Sequence, residues 1–307
     1  MKKLLVIGGA GQLGAKIVKQ AASSHEVYAT YMTRRPPAET HESFLLDKTR
    51  KRDVVSLITK IKPDFVVDTA ALHNVDYCET HPGEARAVNV DGTRNVAEAC
   101  QRVSARMTFI STDYVFDGTK GHYNEKDQPN PINCYGNTKL EGEKTVEETC
   151  EDYVIARPSV IYSWTPMERE AGSSSGKPMN FVMWLIQKLR EREAVKIVSD
   201  QHSSPTLADN LAEILVKLGD SPRTGIYHTA GRTCINRHDF SVKIARTMGL
   251  DESLISPITT DQLKQLARRP MKSCLDVSKT EQALGTKLLD LDEALRIVKE
   301  EATAEMR

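Results

Sequence analysis

Three glycines, Gly8, Gly11 and Gly14, stand three residues apart between two patterned segments. Before them runs Leu4-Leu5-Val6-Ile7, and after them Leu13, Ile17, Val18 and Ala21 share one helical face. A buried strand ended by a glycine turn and followed at once by a helix opens a βαβ unit. Glycine permits the tight turn, lets backbone approach a diphosphate, and lets helix and strand pack closely. The helix start offers unpaired N–H groups and a partial positive charge to phosphate. Gly8, Gly11, Gln12 and Leu13 are therefore predicted to bind a dinucleotide.

The same alternation continues to about residue 160. Strands are predicted over 3–7, 27–31, 44–46, 65–68, 107–111 and 153–156, with helices over 12–22, 53–60, 84–102 and 139–148. Short, continuously apolar strands separated by helices imply a doubly wound parallel sheet of the Rossmann type, covered on both faces. Past Pro158 the texture changes. Helices are predicted over 180–190 and 207–218, strands over 195–198 and 226–230, and mostly helix thereafter. Residues 1–160 read as the dinucleotide-binding domain, with returning elements near 195–230, and 161–307 as mainly a smaller substrate-binding lobe. Segment 168–178, with Gly172-Ser173-Ser174-Ser175-Gly176 at its core, reads either as a lid that brings Lys177 to a substrate diphosphate or as an exposed connector.

Composition removes other classes. The 42 Lys+Arg balance 42 Asp+Glu, unlike the basic domains that bind nucleic acid. No apolar run approaches the ~20 residues of a membrane helix, so no membrane partner is expected. The N-terminal run stops at Gly8, short of the ~7–15 residues of a secretory leader. Cys78, Cys100, Cys134, Cys150, Cys234 and Cys274 form no C-x-x-C pair and are expected to be reduced core residues of a cytoplasmic protein. Dispersed histidines without H-x-x-x-H predict no metal site.

The end of the second predicted strand selects the dinucleotide. NAD-binding folds place an acid there for the ribose 2′-hydroxyl. Here Ala29-Thr30-Tyr31-Met32-Thr33 carries none, and Arg34-Arg35 follow. Paired guanidinium groups suit a 2′-phosphate through charge-assisted hydrogen bonds. The expected cofactor is NADP(H), with NAD(H) as the alternative, and Tyr31, Arg34 and Arg35 belong to its adenosine side.

Chemistry is expected at Tyr135-Gly136-Asn137-Thr138-Lys139, because positions i and i+4 share a helical face. A free phenol titrates near ~10, and a neighbouring cation shifts it towards the working range. Lys139 is expected to do this for Tyr135. Upstream, the fifth predicted strand ends in Ser111-Thr112-Asp113, at the edge where doubly wound sheets bind ligands.

With these residues the chain resembles the extended short-chain dehydrogenases/reductases, and within them the dTDP-4-dehydrorhamnose reductase family. The resemblance covers nearly the full length. It rests on Gly8 to Gly14, Thr69-Ala70-Ala71 through Val75-Asp76, Asn89-Val90-Asp91-Gly92-Thr93, Ser111 to Gly118, Tyr135 to Glu143, and Arg269-Pro270 with Ser273 and Leu275-Asp276. It implies Thr112, Tyr135 and Lys139 as a catalytic triad. It also implies Gly11, Gln12 and Leu13 on the diphosphate, Asp47 and Lys48 on the adenine, and Ala70, Ala71, Leu72 and His73 on the nicotinamide side. Thr112 and Asp113 would touch a nucleotide-sugar substrate; the sequence leaves the oligomeric state open, a homodimer among the options.

The implied reaction is NADPH-dependent reduction of a 4-keto sugar nucleotide, dTDP-4-dehydrorhamnose to dTDP-L-rhamnose. The alternatives are an NAD(P)-dependent sugar-nucleotide epimerase or dehydratase, and a noncatalytic NADP-binding regulatory subunit like methionine adenosyltransferase β. One run departs from the family. Where many members have T-S-W-V-Y, this chain has Pro158-Ser159-Val160-Ile161-Tyr162, leaving Trp164 either to replace the missing ring or simply to pack.

Overall fold

The structure is a computed structural model that describes residues 1–165 and 180–305. Segment 168–178, including Lys177, lies outside the described residues. Strands β1 (Lys2–Ile7), β2 (His25–Tyr31), β3 (Glu42–Leu45), β4 (Phe65–Asp68), β5 (Arg106–Ile110) and β6 (Tyr153–Arg157) form one sheet with an edge strand, Gly225–His228. The spatial order is Gly225–His228, β6, β5, β4, β1, β2, β3, and every pairing is parallel.

Side-chain alternation explains why these strands are apolar throughout. Leu4 and Val6 of β1 pack with α1 (Gln12–Ala21) and the helix Ala208–Asp220 on one face. Leu5 and Ile7 pack on the other face with α2 (Lys51–Ile61) and the residues around Val96 and Cys100. Each buried Leu, Ile or Val contributes about 1.5–3 kcal/mol, so both faces of β1 hold the sheet between its helices.

The helix predicted over 84–102 is continuous but not uniform. After α3 (Val75–Thr80) come α4 (Pro82–Arg86), a π-helical stretch Ala87–Asp91, and α5 (Gly92–Val103). Helix α3 has no counterpart in the sequence reading, since six residues are too few to display a period. Its start is set by Asn74, whose side chain accepts from the Tyr77 amide at 3.3 Å. The helix predicted over 139–148 begins earlier, as α6 (Cys134–Thr149), because Asn133 Oδ1 accepts from the Gly136 amide at 2.8 Å.

Two expectations for the second half are corrected. Val195–Val198 does not return to the central sheet; it pairs in parallel with Ile255–Ile258, within sequence expected to be mostly helical. The cysteines are not all reduced, because Cys234 and Cys274 are disulfide-bonded with Cα atoms 5.4 Å apart. His202 causes the approach. The strand Ile235–Asn236 pairs with His202–Ser203, while the His202 amide donates to Met271 O and the Ser273 amide to His202 O. Residues 234 and 274 thus both lie just past pairings to the same short strand. Cys78, Cys100 and Cys150 are free and buried, and Cys134 is partly exposed. Among the described residues there is no acid, His or Cys cluster able to hold a metal, and no helix is long and apolar enough to cross a membrane.

Candidate active site

The glycine turn joins β1 to α1 at the carboxyl edge of the sheet. Gly8 holds φ at 83°, in the left-handed region that glycine occupies without strain. A Cβ on Gly14 would fall 2.3 Å from Gly8 O, so only glycine lets the helix approach the strand this closely. Gly11 is the N-cap of α1 and supplies no side-chain cap. The first-turn amides, including those of Leu13 and Gly14, are left without a capping group and suit an anionic diphosphate. The residues present therefore fit a dinucleotide. Gln12 lies over the turn and donates to Ser163 Oγ at 3.2 Å.

Tyr31 ends β2, and Arg34 and Arg35 follow it exposed, with no ion pair to either among the described residues. Asp47 accepts from the Thr49 amide and hydroxyl at 2.9 and 2.7 Å. Lys48 turns inward instead of lying at the surface. Its Nζ donates to Asp68 Oδ2 and Ala70 O, both at 2.7 Å, because the buried Asp68 carboxylate requires a counter-charge.

Ala70, Ala71 and Leu72 follow β4 partly buried, and His73 is exposed. The backbone of Leu72 is clamped on both sides by one residue that the sequence reading left without a role. Asn89 Oδ1 accepts from the Leu72 amide at 2.9 Å, and Asn89 Nδ2 donates to Leu72 O and Thr138 Oγ1, both at 3.0 Å. It stands in the π-helical stretch, a distortion frequent at functional sites. The Asn89-to-Thr93 run was the signal that pointed there.

Thr112 stands two residues beyond β5, where its side chain caps the short turn Asp113–Val115, and its hydroxyl lies near the Tyr135 phenol. Lys139 lies one turn further along α6, only 1% exposed, with Nζ 4.0 Å from the Phe109 ring centre. The expected lowering of the Tyr135 pKa is corrected: desolvation holds the phenol above its ordinary value, with Thr112 pulling it down and Asp113, Cys78 and Tyr114 pushing it up. Lys139 is the group displaced instead. Burial, reinforced by the Lys48 cation, brings it to about 7. An unfolded lysine keeps its ordinary value of 10.5, so between pH 7 and 10.5 the unfolded chain binds the extra proton and this residue adds stability as pH rises. Urea unfolding of the cofactor-free protein should show that rise flattened in Lys139→Met; an unchanged slope would place the proton elsewhere.

Asp113, expected to touch substrate, is buried with both oxygens occupied. It accepts from Ser273 Oγ at 2.6 Å, Ser159 Oγ at 2.8 Å and Thr112 Oγ1 at 3.2 Å. It thereby ties the Thr112 strand end to the turn after β6 and to the C-terminal segment. Burial raises its pKa in spite of these three donors. Beneath it, Arg157 Nε and Nη2 fork onto Glu143 at 2.8 and 2.6 Å, and Ser111 Oγ donates to the same carboxylate. Val160 is held at φ 42°, a left-handed conformation that costs a β-branched residue on the order of 1–3 kcal/mol. Trp164 packs: its indole donates to Glu305 and its ring lies against the C-terminal core.

The family model described as "RmlD substrate binding domain" matches residues 1–303. The chain is similar to dTDP-4-dehydrorhamnose reductase of Aggregatibacter actinomycetemcomitans, 33% identical over 97% of this chain and 99% of that one. It is also similar to methionine adenosyltransferase 2 subunit beta of Bos taurus, 32% identical over 91% of this chain and 82% of that one. Among solved structures, dTDP-4-dehydrorhamnose reductase of Bacillus anthracis in complex with NADP superposes with a TM-score of 0.84 at 29% identity, covering 98% of this chain and 99% of that one.

Proposed function

The chain belongs to the RmlD substrate binding domain family, and from that membership we propose that it is an NADPH-dependent reductase of a 4-keto sugar nucleotide, dTDP-4-dehydrorhamnose to dTDP-L-rhamnose. The observation that carries this reading is the grouping of Thr112, Tyr135 and Lys139 on the carboxyl edge of a sheet whose glycine turn leaves a helix start uncapped.

Gly8, Gly11, Gln12 and Leu13 would hold the cofactor diphosphate, Arg34 and Arg35 its 2′-phosphate, Leu72 the nicotinamide face, and Lys139 the adjoining ribose. The bound cofactor supplies the hydride for the keto carbon. Thr112 hydrogen-bonds the keto oxygen and orients it towards Tyr135, which donates its proton to the alkoxide that develops there. A phenol whose pKa is held high is protonated at neutral pH, the form required of a donor in the reductive direction. The Asn89 clamp fixes Leu72 relative to α6, and so the cofactor side relative to Tyr135.

The test is NADPH oxidation across a panel of 4-keto sugar nucleotides; oxidation with the dTDP-linked substrate supports the reading, and no turnover with any member removes it. Turnover also decides the second reading, a noncatalytic NADP-binding subunit, which the similarity to the bovine β subunit favours. Cofactor choice is tested separately. Replacing both Arg34 and Arg35 with Ala should weaken NADPH binding by about 1–3 kcal/mol and leave NADH nearly unaffected, as expected for lost charged hydrogen bonds to phosphate. Equal loss for both cofactors, measured by fluorescence titration, would make the arginines structural.

A further inference from the structure

We infer that Arg237 is the residue that takes the diphosphate of the substrate, an anion subsite beside the active site. The inference rests on the nucleotide-sugar reading and names the residue that would recognise the substrate's strongest charge.

The local fold presents this side chain rigidly. Asn236 pairs with His202 in a short antiparallel ribbon, and the Arg237 amide donates to Gln201 O at 3.0 Å. Asn236 also caps the helix Arg237–Met248, its Oδ1 accepting from the Asp239 amide at 2.8 Å. The guanidinium stacks on the Phe181 ring, 4.5 Å from its centre. Stacking occupies the flat face of the group and leaves the hydrogen-bonding edge for a planar or tetrahedral oxyanion.

Its surroundings place it at the site. Arg237 is close enough to Tyr114, Asp113 and Arg269 to feel their charges, and the Tyr114 ring meets the Tyr135 ring edge-on at 6.0 Å. The ribbon that carries it is tied to the site as well, since His202 O accepts from the Ser273 amide at 2.9 Å and Ser273 Oγ donates to Asp113 at 2.6 Å, so Arg237 stands beside the site but apart from the phenol that serves the keto carbon. In a 4-keto sugar nucleotide the hexose ring separates that carbon from the anomeric phosphate, so the diphosphate must lie away from Tyr135 by about the width of a ring.

The two neighbouring guanidinium groups differ in what they already hold. Arg269 pairs with Asp76 at 2.9 Å and donates to Ala267 O at 2.7 Å. Arg237 has no carboxylate partner among the described residues, although the surrounding protein desolvates its charge. A desolvated cation stacked on a ring, without a fixed anion, is complementary to an anionic ligand that arrives from solution.

The experiment uses the full chain loaded with NADP⁺ and titrates thymidine diphosphate by calorimetry into the wild type, Arg237→Gln and Arg237→Lys. The Gln variant should bind thymidine diphosphate about 10–100-fold more weakly, as for a lost charge-assisted phosphate contact, with Lys recovering part of the loss. NADPH affinity and the thermal midpoint should be unchanged in both variants. With the dTDP-linked keto sugar, KM should rise while kcat changes little, because the diphosphate is held alike in ground and transition states. Unchanged thymidine diphosphate affinity in Arg237→Gln overturns the inference. So does loss of NADPH binding and thermal stability together with nucleotide binding, which would mark a structural role. Failure of the wild type to bind thymidine, uridine or guanosine diphosphate also overturns it. If thymidine diphosphate binds through Arg237 but the keto sugar is not reduced, the subsite stands and the proposed reaction falls.

Discussion

Tyr135→Phe should lower turnover by ~10²–10⁴-fold while leaving NADPH binding intact, the range for removing one positioned general acid. The substitution deletes a single oxygen. The phenylalanine ring keeps the edge-on contact with Tyr114, and the N-cap from Asn133 to the Gly136 amide is untouched, so α6 should not move. What disappears is the phenolic oxygen near Thr112 and with it the proton for the alkoxide. Steady-state NADPH oxidation paired with cofactor titration separates the two effects. Turnover preserved in the variant would take Tyr135 out of the mechanism; lost cofactor affinity would make it a binding residue.

Glu143→Ala should destabilise the protein by about 3–5 kcal/mol, the cost of stranding one member of a buried ion pair. Both side chains are 2% exposed, so water cannot replace the carboxylate beside Arg157. Ser111 loses its acceptor in the same change, and Ser111 immediately precedes Thr112. Urea unfolding measures the loss, and a paired replacement, Glu143→Met with Arg157→Met, should recover part of it by removing the orphaned charge. A loss below ~1 kcal/mol for Glu143→Ala would mean the pair contributes little beyond an exposed salt bridge. The pair joins α6 to β6 beneath the site, so the weakened variant should also turn over more slowly than its folded fraction predicts.

Local sequence carried the frame of the site a long way. The four residues of β4 occur as predicted, and β1, β2, β5 and β6 differ from expectation only at their ends, because a strand buried on both faces is written as a continuous apolar run. The glycine turn was equally legible, since close packing and a positive φ leave no other residue type in place. Tyr135 and Lys139 could be paired from spacing alone, as helix geometry puts them on one face. Their electrostatics could not. The proximity of Lys48 to Lys139, the inward turn of Lys48 to Asp68, and the desolvation of the phenol all arise between segments far apart in the chain.

The chain's own sequence determined the order of strands and helices, the place of the phosphate turn, and the spacing of the residues on α6, because each depends on periodicity or on neighbours a few positions away. Tertiary structure alone decided what surrounds those residues. It closed Asp113 under hydroxyls from Ser159 and Ser273, joined Cys234 to Cys274, moved Val195–Val198 off the central sheet, and brought Arg237 within the field of Tyr114 and Asp113. These contacts join positions dozens to more than a hundred residues apart. Their partners are chosen by how whole layers pack and which buried charges must be matched, and no local pattern encodes that choice.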